Sequence, residues 1–113
     1  MPLSPIQIQY LAPGASMYSD AGSDSSSALK SVGGSLVLRL PGSSLSWRVD
    51  YVDRDDLVGP WRVLAPDEHG DSHQSIERYR TFRDALSVAK RCVRADVRQL
   101  DGELYDPKHK TLL

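Results

Sequence analysis

Three groupings in the 113-residue chain carry side chains able to do chemistry. The densest is Asp67-Glu-His-Gly-Asp-Ser-His73, where His69, Asp71 and His73, with Asp67 near, offer nitrogen and oxygen ligands for a divalent metal. On a strand, alternate residues point the same way and could clasp one ion. The spacing matches no zinc pattern, and Pro66 with Gly70 marks a solvated turn. Cys92 is the second candidate, because Arg91 and Arg94 beside it could favour its thiolate. A nucleophile needs a base held next to it. The histidines are two in the 69–73 loop and His109 in the tail, so Cys92 reads as a packed, inert thiol on the flank of an apolar face. Third, the serines of residues 19–27 have no histidine or lysine arrangement around them, and Gly33-Gly34 precedes a strand, the wrong setting to cradle a phosphate. The sequence therefore predicts a non-enzyme with no catalytic residue, no metal and no cofactor. A small metal-dependent enzyme using the 69–73 loop is the third reading, behind two binding functions.

Charge placement is more informative. From Asp50 to Asp71 seven acids stand against two bases, a net of −5. From Gln74 to Arg98 seven bases stand against three acids, a net of +4. The whole chain carries a formal net charge of −1, which by itself argues neither for nor against a polyanion. The acids include Asp53, Asp55 and Asp56 in one connection, and the bases include Arg83, Lys90, Arg91 and Arg94. Strand alternation adds Arg39, Arg48 and Arg62 on the sheet face turned away from the apolar residues. The arginine fork suits both carboxylate and phosphate. The plain alternative is that helices and sheets in water always present charged outer sides.

The elements that must position these charges are legible from periodicity. Phe82, Ala85, Leu86, Ala89 and Val93 form one face of a helix over about 81–94, capped by Thr81 with Asp84 in its first turn. Its other side carries Arg83, Lys90 and Arg94 on one ridge. Residues 4–11 alternate as a half-buried strand with Ile6, Ile8 and Tyr10 on one side and Gln7 and Gln9 on the other. Leu36, Leu38 and Leu40, then Leu45, Trp47, Val49 and Tyr51, then Trp61, Val63 and Ala65 mark three further strands. Gln74–Arg80 is a weaker strand. After the helix, a strand over Ala95–Leu100 turning at Asp101-Gly102 is preferred to a continued helix. Residues 12–34 read mostly as a flexible Ser/Gly-rich loop, within which Ser27 could cap a short turn through Leu29, and 106–113 as a loose tail. The expectation is a single α+β domain over 1–113: an antiparallel sheet of about five strands with one main helix packed on one face. One cysteine allows no internal disulfide, and no basic-then-apolar leader or long apolar run occurs. A cytoplasmic protein with no membrane partner is expected.

Trp61-Arg-Val63, Thr81-Phe82, the Ala85/Ala89 spacing and Asp101-Gly102 resemble small uncharacterised bacterial and phage domains of the strand-strand-helix-strand type, over residues 47–106. That pattern usually has Gly after the helix, where this chain has Arg94-Ala95-Asp96. The resemblance implies a fold and no catalytic residues. The first functional expectation is a non-enzymatic interaction protein. It would bind a larger protein through Arg39, Arg48 and Arg62, the Asp53, Asp55 and Asp56 loop, and Arg83, Lys90, Arg91 and Arg94. Small cofactor-free chains of this kind are common among phage and mobile-element inhibitors of host defence complexes, anti-CRISPR-type proteins included. The alternative is a nucleic-acid-binding module using Arg83, Lys90, Arg91 and Arg94 on phosphates, which the shortage of exposed aromatics disfavours.

Overall fold

A computed structural model of the protein describes residues 5–20, 25–52, 59–67, 69–100, 103–106 and 111–112. The apolar alternation resolves into strands β1 (Gln7–Leu11), β2 (Ser19–Asp20), β3 (Ser35–Arg39), β4 (Trp47–Tyr51), β5 (Trp61–Pro66) and β6 (Ser72–Tyr79). They form one antiparallel sheet in the order β2-β1-β3-β4-β5-β6. Five of the strands are those read from the sequence, and β2 adds a two-residue edge. Helices α1 (Ser25–Ser31) and α2 (Phe82–Ala95) carry buried Leu29 and buried Ala85, Ala89, Cys92 and Val93 into the core with Leu36, Leu38, Trp47, Val49, Trp61 and Val63. The fold is α+β, with the main helix packed against an antiparallel sheet.

The main helix forms where its residues dictate. Thr81, extended at φ −122°, accepts the Asp84 N–H through Oγ1 at 3.1 Å. Ala85 and Ala89 are fully buried, so the backbone comes close to the sheet, while Phe82 and Leu86 flank them. The thiol of Cys92 is buried in this face and serves packing. The helix ends at Asp96, which takes φ 54° and ψ 43°, the left-handed geometry that glycine fills most easily. Val97 N–H returns to the Cys92 carbonyl at 3.0 Å and closes the end. The residue that departs from the expected glycine thus adopts the glycine conformation. Asp96 also pairs with Arg98 at 2.9 Å, with both side chains about a third exposed.

Replacing Asp96 by Gly removes a backbone cost of about 1–2 kcal/mol and an ion pair worth about 0–1 kcal/mol. The denaturant midpoint is expected to stay level or rise. Asp96→Val, branched at Cβ, should lower stability by about 1–2 kcal/mol. A lower midpoint for the glycine variant would instead assign the helix end to the Arg98 pair.

Two segments read as loop and tail contain regular structure. Residues 12–34, read mostly as a loop, contain β2 and a seven-residue α1. Leu29 is the cause: it is almost wholly buried against the sheet, while Lys30 lies 5.8 Å from the Trp61 ring centroid. The Tyr10 hydroxyl donates to the Gly33 carbonyl at 2.6 Å and holds the exit from α1. The tail contributes β9 (Thr111–Leu112), which pairs with β8 (Glu103–Asp106). Beyond α2 the chain runs as β7 (Arg98–Leu100) and β8, as preferred, but these strands and β9 form their own three-stranded sheet. That sheet is tied to the main core where Trp47 Nε1 donates to the Val97 carbonyl at 2.8 Å. The Asp101-Gly102 turn lies outside the described residues.

Candidate partner-binding surfaces

The register decides what the arginines of the sheet face can do. Arg48 on β4 stands opposite Val37 on one side and Leu64 on the other. Val37 is 1% exposed and Leu64 9%, so this face is partly closed rather than lined by a continuous arginine row. Arg48 is half-buried, and its Nε is buried without a hydrogen-bond partner among the described residues. Its stem serves as cover for these two apolar neighbours. Arg62 on β5 stands opposite Asp50 and Arg78, and its Nη2 donates to Asp50 Oδ2 at 3.2 Å. Its charge is therefore largely met within the sheet.

Arg39 is placed differently. On β3 it stands opposite Gln7 of β1. Its Nε donates to Gln7 Oε1 at 3.2 Å and its Nη2 to Gln9 Oε1 at 3.0 Å. The guanidinium carbon lies 5.2 Å from the ring centroid of Tyr18, just before β2. Two neutral amides and an aromatic ring orient this cation, and no carboxylate among the described side chains pairs with it. Sequence reasoning named Arg39 but not its three companions. The outward parity of Gln7 and Gln9 was readable, whereas Tyr18 depends on the β1–β2 pairing of Tyr10 with Ser19.

The basic residues of α2 are the most accessible. Arg83, Lys90, Arg91 and Arg94 are all exposed, and Asp84 is the one exposed acid on the helix. Arg83, Lys90 and Arg91 make no ion pair among the described residues. At a rise of about 1.5 Å per residue, Arg83 and Arg94 are separated by roughly 16 Å along the axis. The opposite side of the helix is fixed in the core, so the cations are presented from a rigid base.

The acidic half of the expected surface, Asp53, Asp55 and Asp56, lies outside the described residues. In the 67–71 connection Asp67 builds the turn. Its Oδ1 accepts the N–H groups of His69 and Asp71, each at 2.9 Å, and its own N–H reaches the Asp71 carbonyl at 2.7 Å. The Asp67 carboxylate is thus engaged by backbone. His73 belongs to β6 rather than to a loop and pairs with Ala65. Among the described residues no group of three or more His, Cys, Asp or Glu is placed to hold a metal ion. Among the same residues no helix is long and apolar enough to cross a membrane. No family model, curated protein or solved structure matches the chain.

Proposed function

We propose that the chain is a non-enzymatic interaction protein that binds an acidic surface of a larger protein through the solvent side of α2. The observation that supports this most is the exposed set Arg83, Lys90, Arg91 and Arg94 on a helix whose other side is packed into the core. A rigid display of this kind pairs with carboxylates at little ordering cost. The near-neutral total charge of −1 favours a protein partner over a general polyanion. The aromatic residues Trp47, Trp61 and Phe82 belong to the core and cannot serve as stacking platforms for bases. A phage or mobile-element inhibitor of a host defence complex, of the anti-CRISPR kind, would act in this way, by occupying a surface and without chemistry of its own.

Reversing three of the charges, Arg83→Glu with Lys90→Glu and Arg94→Glu, is expected to abolish capture of the partner from host lysate by immobilised protein. The melting temperature should move by no more than about 10 °C, because exposed substitutions seldom cost more than ~0.5 kcal/mol each. Unchanged capture by the triple variant would overturn the assignment to α2.

The single exposed acid on α2 favours nucleic acid as the second reading, since phosphates would meet the same ridge. Fluorescence anisotropy with duplex DNA, single-stranded DNA and RNA separates the two. Four phosphate contacts predict a loss of affinity on the order of a hundredfold between ~50 and ~200 mM salt. The protein-binding reading predicts no appreciable nucleic-acid binding at the lower salt.

A further inference from the structure

We propose that Arg39, Gln7, Gln9 and Tyr18 form a preorganised receptor for a side-chain carboxylate of the partner protein, separate from α2. This rests on the protein-binding reading and names a second contact within it.

The sheet holds two other arginines in ways that use up their charge or their stem. Arg62 meets a carboxylate, and Arg48 is sunk between two apolar neighbours. Arg39 alone of the three is oriented by uncharged acceptors, at 3.2 and 3.0 Å, with the Tyr18 ring beside it. Both glutamines spend their Oε1 atoms on Arg39, which leaves both Nε2 groups as donors. Arg39 Nη1, the two glutamine Nε2 groups and the Tyr18 hydroxyl take no partner among the described residues. Donors with no partner thus belong to the cation itself and to the two amides and the ring that contact it, and no carboxylate among the described side chains touches it; Asp20 of β2 stands opposite Gln9. An oxyanion is the chemistry that completes such a cluster.

The surroundings favour a protein carboxylate over a free phosphate. Met17, next to Tyr18 in the chain, is 81% exposed, and Tyr18 is 38% exposed. These two and Val32 are the exposed large hydrophobic residues among those described. An arginine against a tyrosine whose chain neighbour is an exposed methionine has the composition of an interface anchor, where apolar cover from the partner removes water from a charged hydrogen bond. Because the guanidinium is already held, little side-chain freedom is lost on binding.

The test titrates 15N-labelled protein with a capped five-residue peptide bearing a central glutamate between two leucines. It is compared with the same peptide carrying glutamine, and with inorganic phosphate. The expected result is saturable shifts of the Arg39 Nε–H and of the Gln7 and Gln9 side-chain amides. Affinity should fall roughly tenfold for the glutamine peptide and again for Arg39→Gln, the scale of a hydrogen bond to a charged group. The Arg39→Gln melting temperature serves as the folding control, and the α2 triple variant should titrate like wild type. Absence of shifts at the cluster, or shifts confined to α2, would overturn the proposal. Phosphate binding as strong as that of the glutamate peptide would also overturn it, by assigning the cluster to phosphate. Failure here leaves lysate capture through α2 intact, and failure of that capture leaves this titration intact, so the two readings can be told apart.

Discussion

Trp47→Ala is expected to unfold the protein or leave it barely folded. Trp47 is 2% exposed within the shared core, and its indole N–H donates to the Val97 carbonyl at 2.8 Å. Truncation removes about 3–5 kcal/mol through lost burial and the cavity left behind. It also orphans the Val97 carbonyl at the start of the C-terminal sheet, which adds about 1–3 kcal/mol. The sum approaches the 5–15 kcal/mol total stability usual for a domain. Trp47→Phe separates the two contributions, because it keeps most of the ring packing and loses the donor. It should cost about 1–3 kcal/mol and chiefly loosen the attachment of β7 to the core. Urea unfolding followed by circular dichroism measures the first effect, and hydrogen exchange at Val97–Leu100 the second. An alanine variant that melts close to wild type would show that the two sheets do not depend on this contact.

Gly59→Ala should produce the second largest loss. Gly59 is buried at φ 95°, with Pro60 between it and β5. A Cβ there would meet the Tyr79 carbonyl group and sit 2.7 Å from Arg80 Cα, all of it backbone at the end of β6. Rotamer change cannot relieve a clash with backbone. Left-handed strain of about 1–2 kcal/mol adds to overpacking of about 1–3 kcal/mol. A fall in melting temperature on the order of 10 °C or more follows for a chain of this size. By contrast, Gly42→Ala meets nothing within 4 Å at φ 81° and should show the strain alone. Equal losses at the two positions would mean that the approach of Gly59 to β6 is unimportant. Trp61, edge-on to Tyr51 at 5.0 Å and to Phe82 at 5.1 Å, lies directly after this junction. Misplacing β5 therefore disturbs the aromatic contact that seats α2.

The charged surface was only partly legible before the fold was known. Helical period placed Arg83, Lys90 and Arg94 on one ridge, and the structure exposes all of them because the opposite residues of α2 enter the core. Strand alternation put Arg39, Arg48 and Arg62 on one sheet face, and the register then gave each a different role. Asp50 meets Arg62, Val37 and Leu64 flank Arg48, and Gln7 with Gln9 holds Arg39. Alternation fixes the side to which a residue points and says nothing about who stands across from it.

The amino-acid sequence alone determined the local elements, because they arise from interactions between residues close in the chain. The Thr81 cap, the apolar face of α2 and the alternation of β1, β3, β4 and β5 are all of this kind. Tertiary structure alone decided what depends on distant contact: the fixing of α1 through Leu29, the attachment of the β7, β8 and β9 sheet to the main core through Trp47, and the Tyr18–Arg39 contact. A seven-residue helix is too short to be stable from its own hydrogen bonds, and β9 too short to persist unpaired. Helix α1 exists because burial of Leu29 against strands far along the chain outweighs weak local preference, whereas β9 exists through pairing with its near neighbour β8, where Asp106 stands opposite Thr111.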